Sequence, residues 1–255
     1  MDVHHSAARG FDLGADTYER GRPGYPEPAV AWLVQVLGIG PGSQVVDLAA
    51  GTGKLTRQLV PTGAELTAVE PVAGMRARLA EAVPGSRAEA GTAEAMPLPD
   101  GTASSVVVGQ GFHWFDGPRA LAEIHRVLRP GGGLGLIWNV RDESVPWVGE
   151  LTRIIEPYRG DAPRYLSGRW RDAFATTSLF EPLNERSFRH AQEGDRAMMR
   201  DRIASVSFVA CLEEDAQAGV LAQVDDLLDH HPALRGGATV TMPYRTDVYW
   251  TFRVP

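Results

Sequence analysis

The sequence predicts an α/β fold, a doubly wound and mostly parallel sheet with helices on both faces. Three observations lead there. Between Pro28 and Trp138, short apolar runs alternate with amphipathic ones across short connections. The run Val45–Leu48 ends beside a small-residue stretch containing Gly51 and Gly53, the mark of a strand turning tightly into a helix. Val106-Val107-Val108 is apolar without interruption, as a strand buried on both faces must be.

Taken in order, residues 1–16 show little pattern and read as a loose start. The segment from Tyr18 to Pro26 has prolines and glycines that forbid a continuous helix. With two tyrosines and two arginines, it reads as a binding flap or as a strap packed on the domain. Val30, Leu33, Val34 and Leu37 recur at helical spacing, and Gly38 ends that helix. Strand one covers Gln44–Leu48, and a helix runs from Gly53 to Leu59. Strand two is Glu65–Glu70, closed by Pro71, and a second helix of the unit spans Met75–Val83. A short third strand lies near Arg87–Ala90, and strand four is Ser104–Gly109. Leu121, Ile124, Val127 and Leu128 share one face of a helix over Pro118–Leu128. Arg129-Pro130-Gly131-Gly132-Gly133 reads as the turn that ends it, before strand five at Leu134–Trp138.

The second half is less regular. Pro146–Phe180 reads as an interrupted helical stretch over the carboxyl edge of the sheet. Leu183–His190 is a sixth strand, followed by helices at Asp195–Leu212 and Asp215–His230. Ala238–Val254 alternates enough for a long last strand. The whole is a Rossmann-like, seven-stranded sheet. No linker interrupts it, so residues 1–255 read as one domain, with a core at 18–142 and helical inserts at 143–182 and 191–237.

The 255 residues suffice for one large domain with inserts. A net charge of −7 without a basic run argues against a nucleic-acid partner. Cys211 is the only cysteine, which excludes an intramolecular disulfide and a thiolate zinc cage. His230-His231 stand before Pro232 without a third ligand and read as a helix end, so no metal is expected. The start lacks a signal-peptide layout, and no apolar run is long enough to span a bilayer. A cytoplasmic protein without a membrane partner is the expectation; the oligomeric state is not legible.

Three ligand classes use a glycine turn of this kind. A nucleotide phosphate loop needs Ser or Thr after Gly53-Lys54 and a glycine at 48, and the chain has Leu55 and Leu48. A dinucleotide fingerprint needs a third glycine where Thr56 stands, and Asp47 would repel a pyrophosphate. S-adenosylmethionine has no phosphate and bears an ammonium and a sulfonium, so a carboxylate at the tip of strand one suits it. Glu70 then ends strand two, where a carboxylate can accept from a ribose diol. The plainer readings are a turn-capping acid for Asp47 and a solvated strand end for Glu70.

Here the chain resembles the class I S-adenosylmethionine-dependent methyltransferases, in particular the small-molecule group that includes trans-aconitate-methyltransferase-like proteins. The likeness rests on Val45 through Gly53, Ala68–Pro71, Gly91–Asp100, Gln110–Phe115 and Glu123–Gly132. It implies that Asp47, with carbonyls near Ala49 and Gly51, holds the methionine ammonium and that Glu70 holds the ribose. It implies also that Pro71 and Met75 pack by the adenine, that Ala93 gives it a backbone NH, that Glu94 borders its pocket, and that Gln110 lies beneath the methionine. Two positions depart from the pattern. Ala49 replaces the usual glycine, and Thr92 replaces an aspartate that often accepts from the adenine amine.

Methyl transfer is an in-line displacement that needs alignment and exclusion of water, with a base only where the acceptor must lose a proton. His113 follows strand four and is either that base or a ring that packs the pocket wall. Trp114, with Phe112 and Phe115, would line the wall or fill core. Arg22 and Tyr18 are placed to close over the cofactor, Arg22 pairing with its carboxylate. Arg141 would meet an anionic substrate or lie on the surface, and Tyr25 and Trp138 are placed similarly. The acceptor is expected to be a small molecule, through O, N or C. The alternatives are the same cofactor site used for another reaction such as a cyclisation, or a non-catalytic binding module.

Overall fold

A computed structural model describes residues 15–237 and 239–255. The expected loose start falls on residues 1–14, outside the described residues. The chain divides into two compact units. One comprises the residues up to Pro23, Val140–Ala162 and Arg189–Arg245; the other comprises Gly24–Asn139, Pro163–Phe188 and Thr246–Pro255.

The sheet has seven strands: β1 (Gln44–Leu48), β2 (Glu65–Val69), β3 (Arg87–Glu89), β4 (Ala103–Gly109), β5 (Leu128–Arg141), β6 (Asn184–Gly194) and β7 (Val240–Phe252). Their spatial order is β3-β2-β1-β4-β5-β7-β6. β1 pairs in parallel with β2 on one side and with β4 on the other, and the parallel ladder continues to β3 and to β5. β7 runs antiparallel to β5, since Gly132 receives from Arg253 at one end and Pro243 from Asp142 at the other. The strand order therefore reverses at β1 and β4, the place in an open α/β sheet where ligands bind beyond the carboxyl ends.

Helix α1 spans Ala15–Gly21. The expectation of an irregular segment from Tyr18 is corrected here: no glycine or proline precedes Gly21, and the helix breaks only at 22–26. α2 (Glu27–Val36) lays Ala29, Val30 and Leu33 on the sheet, in a core with Val45, Val107, Ile137 and Val248. α3 (Lys54–Leu59) and α4 (Ala73–Ala82) follow β1 and β2. α5 (Gly117–Val127) is capped by Asp116, which accepts from Arg119 N, and buries Ala120, Leu121, Ile124 and Val127. The expected turn after it is strand instead. β5 begins at Leu128, and its register against β4 shifts between Ala103 and Ser105, so the glycine run forms an irregular opening of β5.

In the stretch 146–180 only α6 (Pro146–Ile155) and α7 (Asp172–Thr176) are α-helical, with 3₁₀ turns between them. The helix expected at Asp195–Leu212 is broken at Ser205 and Val206 into α8 (Arg196–Ala204) and α9 (Ser207–Ala210). α10 covers Glu214–His230, so His230 does stand at a helix end. Among the described residues no helix is long and apolar enough to cross a membrane.

In the unit that holds them, α1 packs on α8 so closely that a Cβ at Gly21 would lie 2.5 Å from Arg202 N. Backbone cannot yield as a side chain can. Gly21→Ala is expected to destabilise the protein by about 1–3 kcal/mol, measured by urea unfolding; an unchanged midpoint would exclude this close approach.

Candidate active site

The carboxyl ends of β1, β2 and β4 meet where the strand order reverses. Asp47 opposes Ala68 on one side and Val107 on the other, so its side chain has no water to turn to. It is 2% exposed. Oδ2 accepts from Thr56 Oγ1 at 2.5 Å, while Oδ1 is buried with no partner. Burial lifts its pKa to about 7; the bonds from Thr56 oppose the rise, and the charge of Glu70 adds to it. A buried carboxylate oxygen without a donor is costly, and a cationic ligand removes the cost.

Glu70, the residue after β2, is 5% exposed. Its two oxygens accept from backbone amides, Oε2 from Gly51 N at 2.8 Å and Oε1 from Val72 N at 2.9 Å. The acid thus pins the glycine turn to the start of the next helix. Each oxygen keeps a second lone pair for another donor. Burial raises the Glu70 pKa, with the two amides and Arg76 opposing the rise.

The turn is tight. Gly51 and Gly53 have φ of 58° and 82°, and a Cβ at Gly51 would meet nothing within 4 Å, so the turn faces open space. Ala49 also has positive φ, 55°. Its departure from glycine therefore sits at a left-handed residue, where a Cβ costs about 1–2 kcal/mol. Gln110, after β4, is a second strained residue with φ 63°; its Nε2 donates to Asn139 O at 3.3 Å.

On the β2 side, Met75 and Ala93 are buried and Pro71 is half-buried. Thr92 and Ala95 exchange backbone bonds at 3.3 Å, closing the loop that presents Ala93. Glu94 accepts from Asp116 N at 3.0 Å and ties this loop to the start of α5. The sequence reading missed what holds the loop. Arg126 donates to Met96 O and Leu98 O and pairs with Asp100 and Glu123, and Glu123 also accepts from Met96 N. The Glu123–Arg126 spacing within the helix motif was the available signal. It missed Asn139 as well. This buried residue donates to Gly24 O at 2.9 Å and accepts from Thr246 Oγ1 at 2.7 Å.

Beyond β4, His113 lies in a 3₁₀ turn at Phe112–Trp114. Trp138 Nε1 donates to His113 Nδ1 at 3.2 Å. An indole N–H only donates, so Nδ1 is the acceptor and the neutral imidazole carries its proton on Nε2. Trp138 is 1% exposed and packs among Tyr165, Trp170 and Tyr249. In this structure it stands behind His113, buried among those rings. Tyr25 is 8% exposed, packs in the sheet core and exchanges backbone bonds with the Gln58 side chain, and its hydroxyl lies so close to Gly109 that a Cβ there would be 2.5 Å from it. Trp114 stays half-buried beside His113, with ring centroids 5.3 Å apart. Phe112 is fully buried, packed on Phe115, Trp170 and Phe174. This assigns Phe112 to core.

Tyr18, Arg22 and Arg141 lie in the other unit. Arg22 sits over the Tyr18 ring and donates to Ser205 Oγ and O. Among the described residues no group of three His, Cys, Asp or Glu side chains is arranged to hold a metal.

Residues 46–136 match the family described as a methyltransferase domain. An uncharacterized methyltransferase of Mycobacterium tuberculosis (strain ATCC 25618 / H37Rv) is 38% identical over 236 residues, 92% of each chain. An uncharacterized methyltransferase-like protein of Schizosaccharomyces pombe is 32% identical over 246 residues, 96% of each chain. A putative type II methyltransferase from Anaeromyxobacter dehalogenans shares the fold, with a TM-score of 0.62 and 22% identity over 91% of this chain and 96% of that one. The chain belongs to the class I S-adenosylmethionine-dependent methyltransferases. The seven-stranded, mostly parallel sheet agrees with the fold the sequence predicts.

Ala49→Gly is expected to stabilise the ligand-free protein by about 0.5–1 kcal/mol, relief of the left-handed strain outweighing the added freedom of the unfolded chain. Chemical unfolding checks this; a loss of stability would show that the turn is not strained at that residue.

Proposed function

We propose that the chain methylates a small-molecule acceptor in the cytoplasm, with the methyl donor seated at the tips of β1, β2 and β4. The observation that supports this placement best is the orphaned Asp47 Oδ1, buried near the carboxyl end of β1, two residues before the turn begins at Ala49. In this reading Asp47 takes the methionine ammonium, and the backbone at Ala49, Gly51 and Gly53 lets the ligand approach closely. Glu70 fixes the turn through Gly51 and uses its remaining lone pairs for the ribose hydroxyls. Pro71, Met75, Thr92, Ala93 and Glu94 border the base, and Gln110 lies beneath the amino-acid part. The donor set fits the group: acids for a cation and a diol, and among the described residues no basic side chain donates to either carboxylate, Arg76 reaching the Glu70 carbonyl instead.

When bound, S-adenosylmethionine supplies a methyl carbon already activated by a positive sulfonium. The chain's own contribution is orientation and exclusion of water. We read His113, whose Nδ1 accepts from Trp138, as a ring held in the pocket wall rather than as the base its position after strand four suggested. Trp114 forms wall beside it. The single cysteine, Cys211, suits the reducing compartment proposed.

Two measurements test the placement. Glu70→Ala is expected to weaken S-adenosylmethionine binding by about 1.5–3 kcal/mol in calorimetry, the scale of a charge-assisted hydrogen bond; native affinity would refute the ribose assignment. The second is pH dependence. With its pKa raised to about 7, ligand-free Asp47 is protonated below that pH and must ionise to meet the ammonium. Affinity is therefore expected to rise with pH up to about 7, by at most about tenfold per unit, and then level off. Asp47→Asn should bind weakly and lose this slope; an equal slope in the variant would remove Asp47 from the site.

A further inference from the structure

Three arginines come together within the unit formed by the residues up to Pro23, Val140–Ala162 and Arg189–Arg245. Arg22 donates from Nε to Ser205 Oγ at 3.1 Å and from Nη2 to Ser205 O at 3.0 Å. Arg202 is 5% exposed and donates from Nε to the Tyr244 hydroxyl at 2.9 Å. Tyr244 in turn donates to Gln192 Oε1 at 3.3 Å, which fixes the end of Arg202. Arg141 completes the group. Nη1 of Arg141 and Nη1 of Arg202 are both buried without a partner, and so is His190 Nε2, whose ring lies 6.0 Å from that of Tyr244.

The charges act on one another. Burial and the field of Arg202 bring Arg22 down to about 9, with Arg141 adding to the fall and Tyr18 and Tyr244 opposing it. Burial and Arg202 bring Arg141 down to about 10, opposed by Tyr244 and Glu143. Glu143 faces Arg141 but accepts nothing from the orphaned Nη1. Arg159 adds a further positive field at Arg141 and is itself held by Glu156. Unmet guanidinium donors in a buried place are costly, and like charges there repel strongly. Such a group persists at lowest cost when an anion supplies both the acceptors and the opposing charge.

We propose that this unit holds a binding site for a small dianionic oxyanion, a dicarboxylate or a phosphate, whose oxygens accept from Arg141 Nη1 and Arg202 Nη1 beside Arg22. Tyr244 is the positioning residue for Arg202. The site is one of binding within this unit and stands apart from the donor reading above, so its test contains no methyl donor.

The full chain is melted and titrated calorimetrically with succinate and with inorganic phosphate, each against chloride at equal ionic strength. At least one oxyanion is expected to raise the melting temperature above the chloride reference, and the larger rise identifies the source of the ligand. Arg141→Met removes one of three repelling charges. It is expected to melt no lower than the native protein without anion, yet to bind the oxyanion about tenfold or more weakly. Arg141→Lys, which keeps the charge without the planar fork, should fall between. Absence of any rise over chloride with both anions overturns the proposal. So does either variant binding the oxyanion as tightly as the native chain.

Discussion

Two carboxylates buried near the carboxyl ends of neighbouring strands are the constraint on which the β1–β2 side of the sheet depends. Parallel pairing sets Asp47 opposite Ala68, two residues before Glu70, so the two acids lie within each other's field at the carboxyl ends of β1 and β2. Neither can be solvated there, and each raises the cost of ionising both. The structure offsets this unequally. Glu70 is met by two backbone amides, and in meeting them it fixes the turn at Gly51 and the entry to α4. Asp47 has Thr56 on one oxygen and nothing on the other. The uncompensated oxygen is where a cationic group would gain most.

Strain collects at the same place. Ala49 and Gln110 are the described non-glycine residues with positive φ, and they follow β1 and β4, the two strands at which the order reverses. A left-handed alanine persists only when its surroundings hold it there. Here the surroundings are the bonds from Ala50 N to Val69 O and from Gly51 N to Glu70, which anchor the turn to β2. The family's usual glycine at this position has the same physical cause, since glycine takes that conformation without cost.

The aromatic residues beyond β4 and β5 serve the site indirectly. Trp138 is buried under Tyr165 and Trp170, and its indole sets the tautomer of His113. A ring whose place in the chain suggests a base is held here through Nδ1 by that indole. Tyr165 is anchored in turn by Asp247 and Tyr249, at 2.7 Å each. The aromatic richness of the stretch after β5 reflects packing at least as much as recognition.

Strand identity, the strand-turn-helix at 44–59 and the acids at 47 and 70 were legible because they depend on local pattern, namely apolar runs, turn residues and fixed offsets. The family resemblance added the loop at 92–94 and Gln110. What the chain could not disclose was partnership. That Glu70 would use both oxygens on backbone, that Arg126 would gather Met96, Leu98, Asp100 and Glu123, and that Asn139 would join Gly24 to Thr246 all depend on contacts between residues far apart in sequence. The irregular opening of β5 escaped for a related reason, since a glycine run that locally spells a turn becomes strand once β4 offers it a ladder. Arg22, Arg141 and Arg202 read as three scattered charges, and only folding makes them a cluster. Local chemistry selects each element and the residues able to react. Burial and long-range pairing decide which of those residues keep an unmet charge, because the cost of an unmet charge exists only where water has been excluded.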